Sequence, residues 1–233
     1  MESQWCRSTE HEISYLTDVT GRQPAIRGLD FMDNDYLGVT QRAKDWWARG
    51  GIPTICWHTG ADFFSGYPEC RESELDWAFA FVDGTEANRR LLDGLDHAVP
   101  YLKRLQSDGV PVLWRPFHEM DGGWFWWGAK GSDAYKKLWK YLYKELTNTY
   151  GCNNLIWVYN GQSADWYPGD EYVDIVGEDI YPGNHVYDPQ VSRFKQAINY
   201  GSKTKITALT ENGCIFAVSY THLRAHETSQ DLV

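Results

Sequence analysis

The chain has 233 residues, 42% of them apolar, enough to bury a core and to exclude wholesale disorder. Its 22 Lys and Arg face 32 Asp and Glu, a net charge of −10. There is no basic block to hold a phosphate backbone, and no run of the ~20 apolar residues that a membrane helix requires, so nucleic acid and a membrane span are excluded.

In chain order, the spacing predicts a first helix capped by Ser8 or Thr9, running over Ile13, Leu16 and Val19 to Gly21. A strand follows from Pro24 to Asp30. Thr40 is read as the cap of a short helix over Ala43, Trp46 and Trp47, ended by Gly50-Gly51. Ile52 to His58 is the next apolar run. Thr85 opens a long helix with Leu92, Leu95, Val99 and Leu102 on one face, which Pro100 is expected to kink or split. Val110 to Phe117 is the third strand. Ser132 is read as capping a helix with Tyr135, Leu138, Trp139, Leu142 and Leu146, closed by Gly151. Leu155 to Val158 and Val173 to Val176 are short strands. Asp188-Pro189 reads as cap and first-turn proline of a helix over Val191, Phe194 and Ile198, and Ile206 to Leu209 is the last strand.

Six short apolar strands, most separated by a helix, make a pattern of parallel βα units buried on both faces. With no GxGxxG and no GxxxxGK[ST], a dinucleotide or nucleotide sheet is the weaker choice. A (β/α)8 barrel is favoured, in which polar residues at the strand C-termini build the site. Asp30, His58, His118-Glu119, Asn160, Asp179 to Tyr181 and Glu211 each follow directly on an apolar run. Any one of them is more often a cap or loop residue, but six of six describe one face.

Glu119 and Glu211 are the pair that carries chemistry. Two carboxylates across a cleft suit glycoside hydrolysis, one protonating the leaving oxygen and the other attacking the anomeric carbon. The plainer reading of Glu119 is an ion pair with Arg115. Gly122-Gly123-Trp124-Phe125-Trp126-Trp127 follows, and indoles stack on the apolar faces of sugar rings. Twelve Trp and 15 Tyr also exceed what a core needs, which points to a stacking surface. The competing reading is that these rings pack the outside of the barrel. His58, His118, Asp30 and Asp179 form a weaker metal alternative, since HxH and HExxH are absent, and no metal or cofactor is expected. No GxSxG elbow supports serine chemistry. Cys6, Cys56, Cys70, Cys152 and Cys214 are an odd set without CxxC, which leaves room for one or two bridges in an exported protein.

The stretch Trp114-Arg115-Pro116-Phe117-His118-Glu119-Met120-Asp121-Gly122-Gly123-Trp124-Phe125-Trp126-Trp127-Gly128 resembles the signature of glycoside hydrolase family 26, the β-mannanases. Pro24 to Asp30, Thr54 to His58, Trp166 to Asp170, Asp179-Ile180-Tyr181 and Thr210-Glu211-Asn212-Gly213 extend the resemblance over roughly residues 3 to 216. It implies a (β/α)8 barrel and a retaining endo-hydrolase of β-1,4-mannosidic bonds, with Glu119 as acid/base and Glu211 as nucleophile. It further implies that Tyr181 hydrogen-bonds Glu211. His58, Arg115, His118, Trp124, Trp127 and Asp179 would contact the sugar, with Trp166 as a stacking platform. Asp121 stands where Asn is more usual. The alternatives are the same fold acting on β-1,3-xylan or mixed-linkage β-glucan, or a non-catalytic carbohydrate-binding protein.

A barrel begins with a strand, whereas this chain begins with a helix, and the pattern fades after Phe216. Residues 1–217 are therefore expected to form a catalytic domain incomplete at both ends, truncated to about six βα units, with 218–233 a non-native tail. Open strand edges then predict poor folding and little activity. The substrate is a β-mannan or related polysaccharide, and a monomer is expected. Met1 to Trp5 lacks the basic and apolar regions of a signal peptide, so export of the parent protein is expected on substrate grounds alone.

Overall fold

The computed structural model describes residues 11–32, 34–183 and 185–213. Strands β1 (Ile26–Asp30), β2 (Ile52–Trp57), β3 (Val112–Pro116), β4 (Leu155–Asn160), β5 (Ile175–Ile180) and β6 (Ile206–Asn212) lie side by side in chain order. Every pairing is parallel. Helices α1 (His11–Thr20), α2 (Tyr36–Ala48), α3 (Tyr67–Glu72), α4 (Glu86–Ser107), α5 (Ser132–Tyr143) and α6 (Val191–Ala197) return the chain between strands or precede them. These are six strands of a (β/α)8 barrel, and among the described residues β6 and β1 do not pair.

Alternation along the strands divides the residues between two faces. Leu29, Ile55, Trp57 and Trp114 point outward into the core between sheet and helices. Asp30, Cys56 and Arg115 point the other way and line a cleft. Of the eleven Trp described, Trp46, Trp57, Trp114, Trp126, Trp127, Trp139 and Trp157 are buried. The reading of the Trp excess as a stacking surface is therefore corrected for most of them, which fill the helix–sheet layer, while Trp124 stays exposed. Each fully buried one removes about 150–250 Å² from water, about 4–6 kcal/mol at ~25 cal/mol/Å² before entropy is counted.

Helix boundaries differ from expectation where local chemistry competes. α2 starts at Tyr36 because Asp35 accepts the Gly38 N–H (3.2 Å). Thr40 is interior, its hydroxyl donating back to the Tyr36 carbonyl (2.7 Å). Thr85 does cap α4, accepting the Asn88 N–H at 3.1 Å. Pro100 does not split that helix, because Leu95, Ala98, Val99, Leu102 and Leu105 bury a continuous stripe through it. Gly131 rather than Ser132 is the N-cap of α5, and α6 begins at Val191 with Gln190, not Asp188, as its cap. β5 starts at Ile175, not Val173: Asp174 exchanges two hydrogen bonds with the backbone of Trp157 before the ladder begins. α3 had no periodicity to reveal it. The cap expected at Ser8 or Thr9 and the tail 218–233 lie outside the described residues. Cys56, Cys70 and Cys152 carry free thiols, and Cys6 and Cys214 lie outside the described residues.

Candidate active site

The cleft has a volume of about 1270 Å³ and opens at the C-terminal ends of the strands. β3 delivers Arg115, and the chain beyond it turns sharply. Phe117 and Glu119 both sit in the left-handed backbone region, at φ 51° and 52°. Bulky side chains avoid that region, so the turn is strained. It is pinned by the Glu119 N–H donating to the Asn160 carbonyl at 2.8 Å. Two short 3₁₀ turns follow, Met120–Gly122 and Trp126–Gly128. They pack so closely that a Cβ on Gly128 would stand 1.9 Å from the Met120 carbonyl oxygen.

On the other side, β6 carries Glu211. The β5–β6 ladder pairs Glu178 with Leu209 but Asp179 with Glu211, so Thr210 is an extra residue in the strand. Such a bulge re-aims the side chains after it. Here it sets Glu211 beside Asp179, while the Thr210 hydroxyl donates to Asp179 at 2.6 Å. Carboxylate oxygens of Glu119, Asp179 and Glu211 come within 4.8 Å of one another.

Arg115 organises the acids. Its guanidinium donates to Glu211 (2.5 Å), to Asp179 (3.4 Å) and to the Asn160 side-chain oxygen. The Tyr181 hydroxyl donates to the other Glu211 oxygen at 2.6 Å. Burial pushes against ionisation of Glu211, but the Arg115 charge and these hydrogen bonds outweigh it and hold Glu211 below the usual carboxylate range. Glu119 is the reverse case. Burial first, then the negative charges of Asp179 and Glu211, push it up to about 7, against the single Trp124 indole N–H donating to it at 3.2 Å. Asp179 is also raised, by burial and by Glu211, although Arg115 opposes both.

His58 lies on the far wall, its Nδ1 2.5 Å from the Asp30 carboxylate, whose pKa is held down by that pairing despite burial. His118 meets the His58 ring edge to face at 4.6 Å between centroids. Burial and the nearby His58 and Arg115 hold its pKa well below the usual histidine value, so it is neutral. Trp124 and Tyr181, 43% and 60% exposed, form the rim.

The fold thus brings Glu119, Glu211, His58, Arg115, His118, Trp124, Asp179 and Tyr181 to one cleft. Trp127 and Trp166 do not reach its wall. Trp127 is fully buried and donates its indole N–H to the His118 carbonyl (2.8 Å), so it supports that residue from beneath. Trp166 packs edge-on against Tyr135. Sequence reasoning missed Arg71 on α3 and Arg193 on α6, which line the cleft, and Cys56 on its floor. Cys56 had a signal, since Cys56-Trp57-His58 in one apolar run puts Cys56 and His58 on the same face. Among the described residues, two clusters have donor sets for a metal ion: the three acids, and Asp30 with Cys56 and His58.

Residues 4–225 match the family described as Glycosyl hydrolase family 26. A Thermothelomyces thermophilus protein named mannan endo-1,4-beta-mannosidase is 38% identical over 218 residues, covering 85% of this chain and 45% of its own length. Among solved structures, the Podospora anserina GH26-CBM35 beta-(1,4)-mannanase superposes with a TM-score of 0.82 at 32% identity, covering 97% of this chain and 53% of that one. A beta-mannanase from a symbiotic protist of the termite Reticulitermes speratus, complexed with gluco-manno-oligosaccharide, gives 0.79 at 36%, covering 90% and 71%. The chain therefore spans less than half the length of the Thermothelomyces relative.

Proposed function

The chain belongs to glycosyl hydrolase family 26, and from that premise we propose that it hydrolyses internal β-1,4-mannosidic bonds with retention of configuration. One observation carries the proposal. Two carboxylates whose oxygens lie within 4.8 Å of one another are driven to opposite protonation states by their surroundings. Retaining enzymes hold their carboxyls about 5–5.5 Å apart, and inverting ones need about 6.5–9.5 Å to admit a water. The spacing here favours retention.

In the first step the Glu211 carboxylate attacks the anomeric carbon while Glu119 gives its proton to the departing glycosidic oxygen. A C–O bond to Glu211 forms as the glycosidic C–O bond breaks. In the second step Glu119, now ionised, takes a proton from water as that water attacks the same carbon and releases Glu211. Arg115 and Tyr181 keep Glu211 ionised and aimed. His58, His118 and Trp124 offer a polar wall and a stacking rim to the sugar. A polymeric mannan lies outside cells, so the parent protein would work there.

The test uses β-mannan and both acids. Glu211→Ala should lose turnover to background while still binding mannan, and Glu119→Ala should lose roughly 10²–10⁴-fold. The anomer first released, followed by NMR, should keep the β configuration. Unchanged binding by Glu211→Ala with no turnover in the parent chain would favour a binding protein. Hydrolysis confined to β-1,3-xylan or mixed-linkage β-glucan would keep the mechanism and replace the substrate.

A further inference from the structure

Below the acids, the cleft has a floor that the hydrolytic steps leave largely unused. Cys56 lies near the end of β2 and His58 directly follows the strand, two residues on, and both side chains line the cleft. Asp30 is the β1 residue paired in register with Cys56. One carboxylate oxygen, one thiol sulfur and one imidazole nitrogen from these three residues lie within 4.8 Å of one another. Two strand ends thus present a tripod of mixed oxygen, sulfur and nitrogen donors, rigidly spaced by the sheet. Asp30 and His58 are buried, and all three residues line the open cleft.

We propose that Asp30, Cys56 and His58 bind a soft divalent cation of the zinc class, with the fourth ligand position facing the cleft. Three protein donors plus an open position match what such ions accept, and a thiolate selects them over magnesium or calcium. On binding, the thiol proton leaves to solvent as the sulfur–metal bond forms, and an imidazole nitrogen contributes its lone pair. The surrounding field helps, since the ionised Glu211 lines the same cleft. The nearest opposing charge, Arg115, sits opposite Cys56 in the β2–β3 register but is engaged with Asp179 and Glu211. A bound cation would pull His58 from its place on the sugar-facing wall. Zinc-class ions would then act as reversible inhibitors competitive with polysaccharide. This last consequence alone rests on the proposed hydrolase.

Binding is tested without activity, on the full chain, with Co²⁺ and Zn²⁺ as the probes. A variant carrying Cys6→Ser and Cys214→Ser removes the thiols outside the described residues. Titrated with Co²⁺, it should take up one equivalent and show the near-ultraviolet band of thiolate-to-cobalt charge transfer. Adding Cys56→Ser should abolish the band and weaken Zn²⁺ binding at least about tenfold, the lower end of what loss of even an outer partner costs. Adding Cys70→Ser instead should change neither. As a check independent of any variant's folding, one equivalent of Zn²⁺ should protect Cys56 of the parent chain from alkylation, read by peptide mass. The proposal is overturned if the band survives Cys56→Ser, if Cys56 alkylates equally fast with Zn²⁺, or if protection falls only on Cys6 and Cys214. Zn²⁺ binding at Cys56 in a chain that hydrolyses nothing would leave this site standing and remove the hydrolase reading.

Discussion

Glu119 and Glu211 are the same chemical group, and what separates them is their neighbours. Glu211 accepts from a guanidinium and a phenol, whereas Glu119 accepts one indole N–H and faces two carboxylates. A raised pKa keeps Glu119 protonated below about 7, so turnover should fall as pH rises through that value. The acid limb should lie below 4.5, the ordinary value from which Glu211 is depressed. Asp179→Asn removes one of the charges that raise Glu119, so the alkaline limb of kcat/KM should move to lower pH. Arg115→Lys keeps the charge but loses the planar fork that reaches Asn160, Asp179 and Glu211 together. Its acid limb should move upward and its turnover fall by roughly 10–100-fold, the worth of one charge-assisted hydrogen bond. Both limbs are read from initial rates against pH. Glu119, Asp179 and Glu211 were legible because each follows an apolar run. The contrast between the two acids was not, since it arises from groups about 90 residues apart in the chain. Trp127 shows the opposite failure: its place beside Glu119 in sequence suggested sugar contact, yet the 3₁₀ turn swings it under His118.

Among elements, the most consequential is β6 with its extra residue. Alternation read from the sequence places Thr210 and Glu211 on opposite faces, and no pattern of hydrophobicity signals that Thr210 is bulged. Strand existence was legible; strand register was not. The helices behave similarly, since α4 announced itself by its stripe and by Thr85, whereas α3, six residues long, is too short to show a period. The link between β5 and α6 offers a test. Glu178 points away from the cleft, is buried, and pairs with Arg193 at 2.5 Å while accepting from Tyr200 at 2.9 Å. Arg193 also donates to Gln162 (2.8 Å), whose backbone N–H donates to Asp121 in the turn after Glu119. Arg193→Ala leaves the buried Glu178 without its partner and should lower stability by about 2 kcal/mol in urea unfolding, less than a fully buried pair would lose because Arg193 is partly exposed. It should also loosen the Glu119 turn, visible as a lower kcat with little change in KM.

For the molecule as a whole, two features set its behaviour in solution. Among the described residues β1 and β6 each have one neighbour, and β6 exposes Ile206 (68%) and Leu209 (44%). Such edges recruit other strands. Self-association should therefore rise with concentration in sedimentation, and Ile206→Lys should reduce it. The second feature is the balance of buried acids. Glu119, raised to about 7, and Glu178, raised to about 6, contribute stability that is complete below 4.5 and lost as pH climbs through those values. Asp30 and Glu211 are depressed, so their contribution is present above the ordinary carboxylate range and lost as pH falls through their lowered values. Melting temperature should peak in mildly acid buffer, between about 4 and 6. The strained turn at Phe117 and Glu119 carries this further. Glu119→Gly removes both a carboxyl crowded by like charge and a side chain from backbone that only glycine adopts without cost, a relief of about 1 kcal/mol from the backbone alone. The dead variant should outlast the parent on heating, so a screen for heat resistance alone would steadily discard the residue that the proposed chemistry depends on.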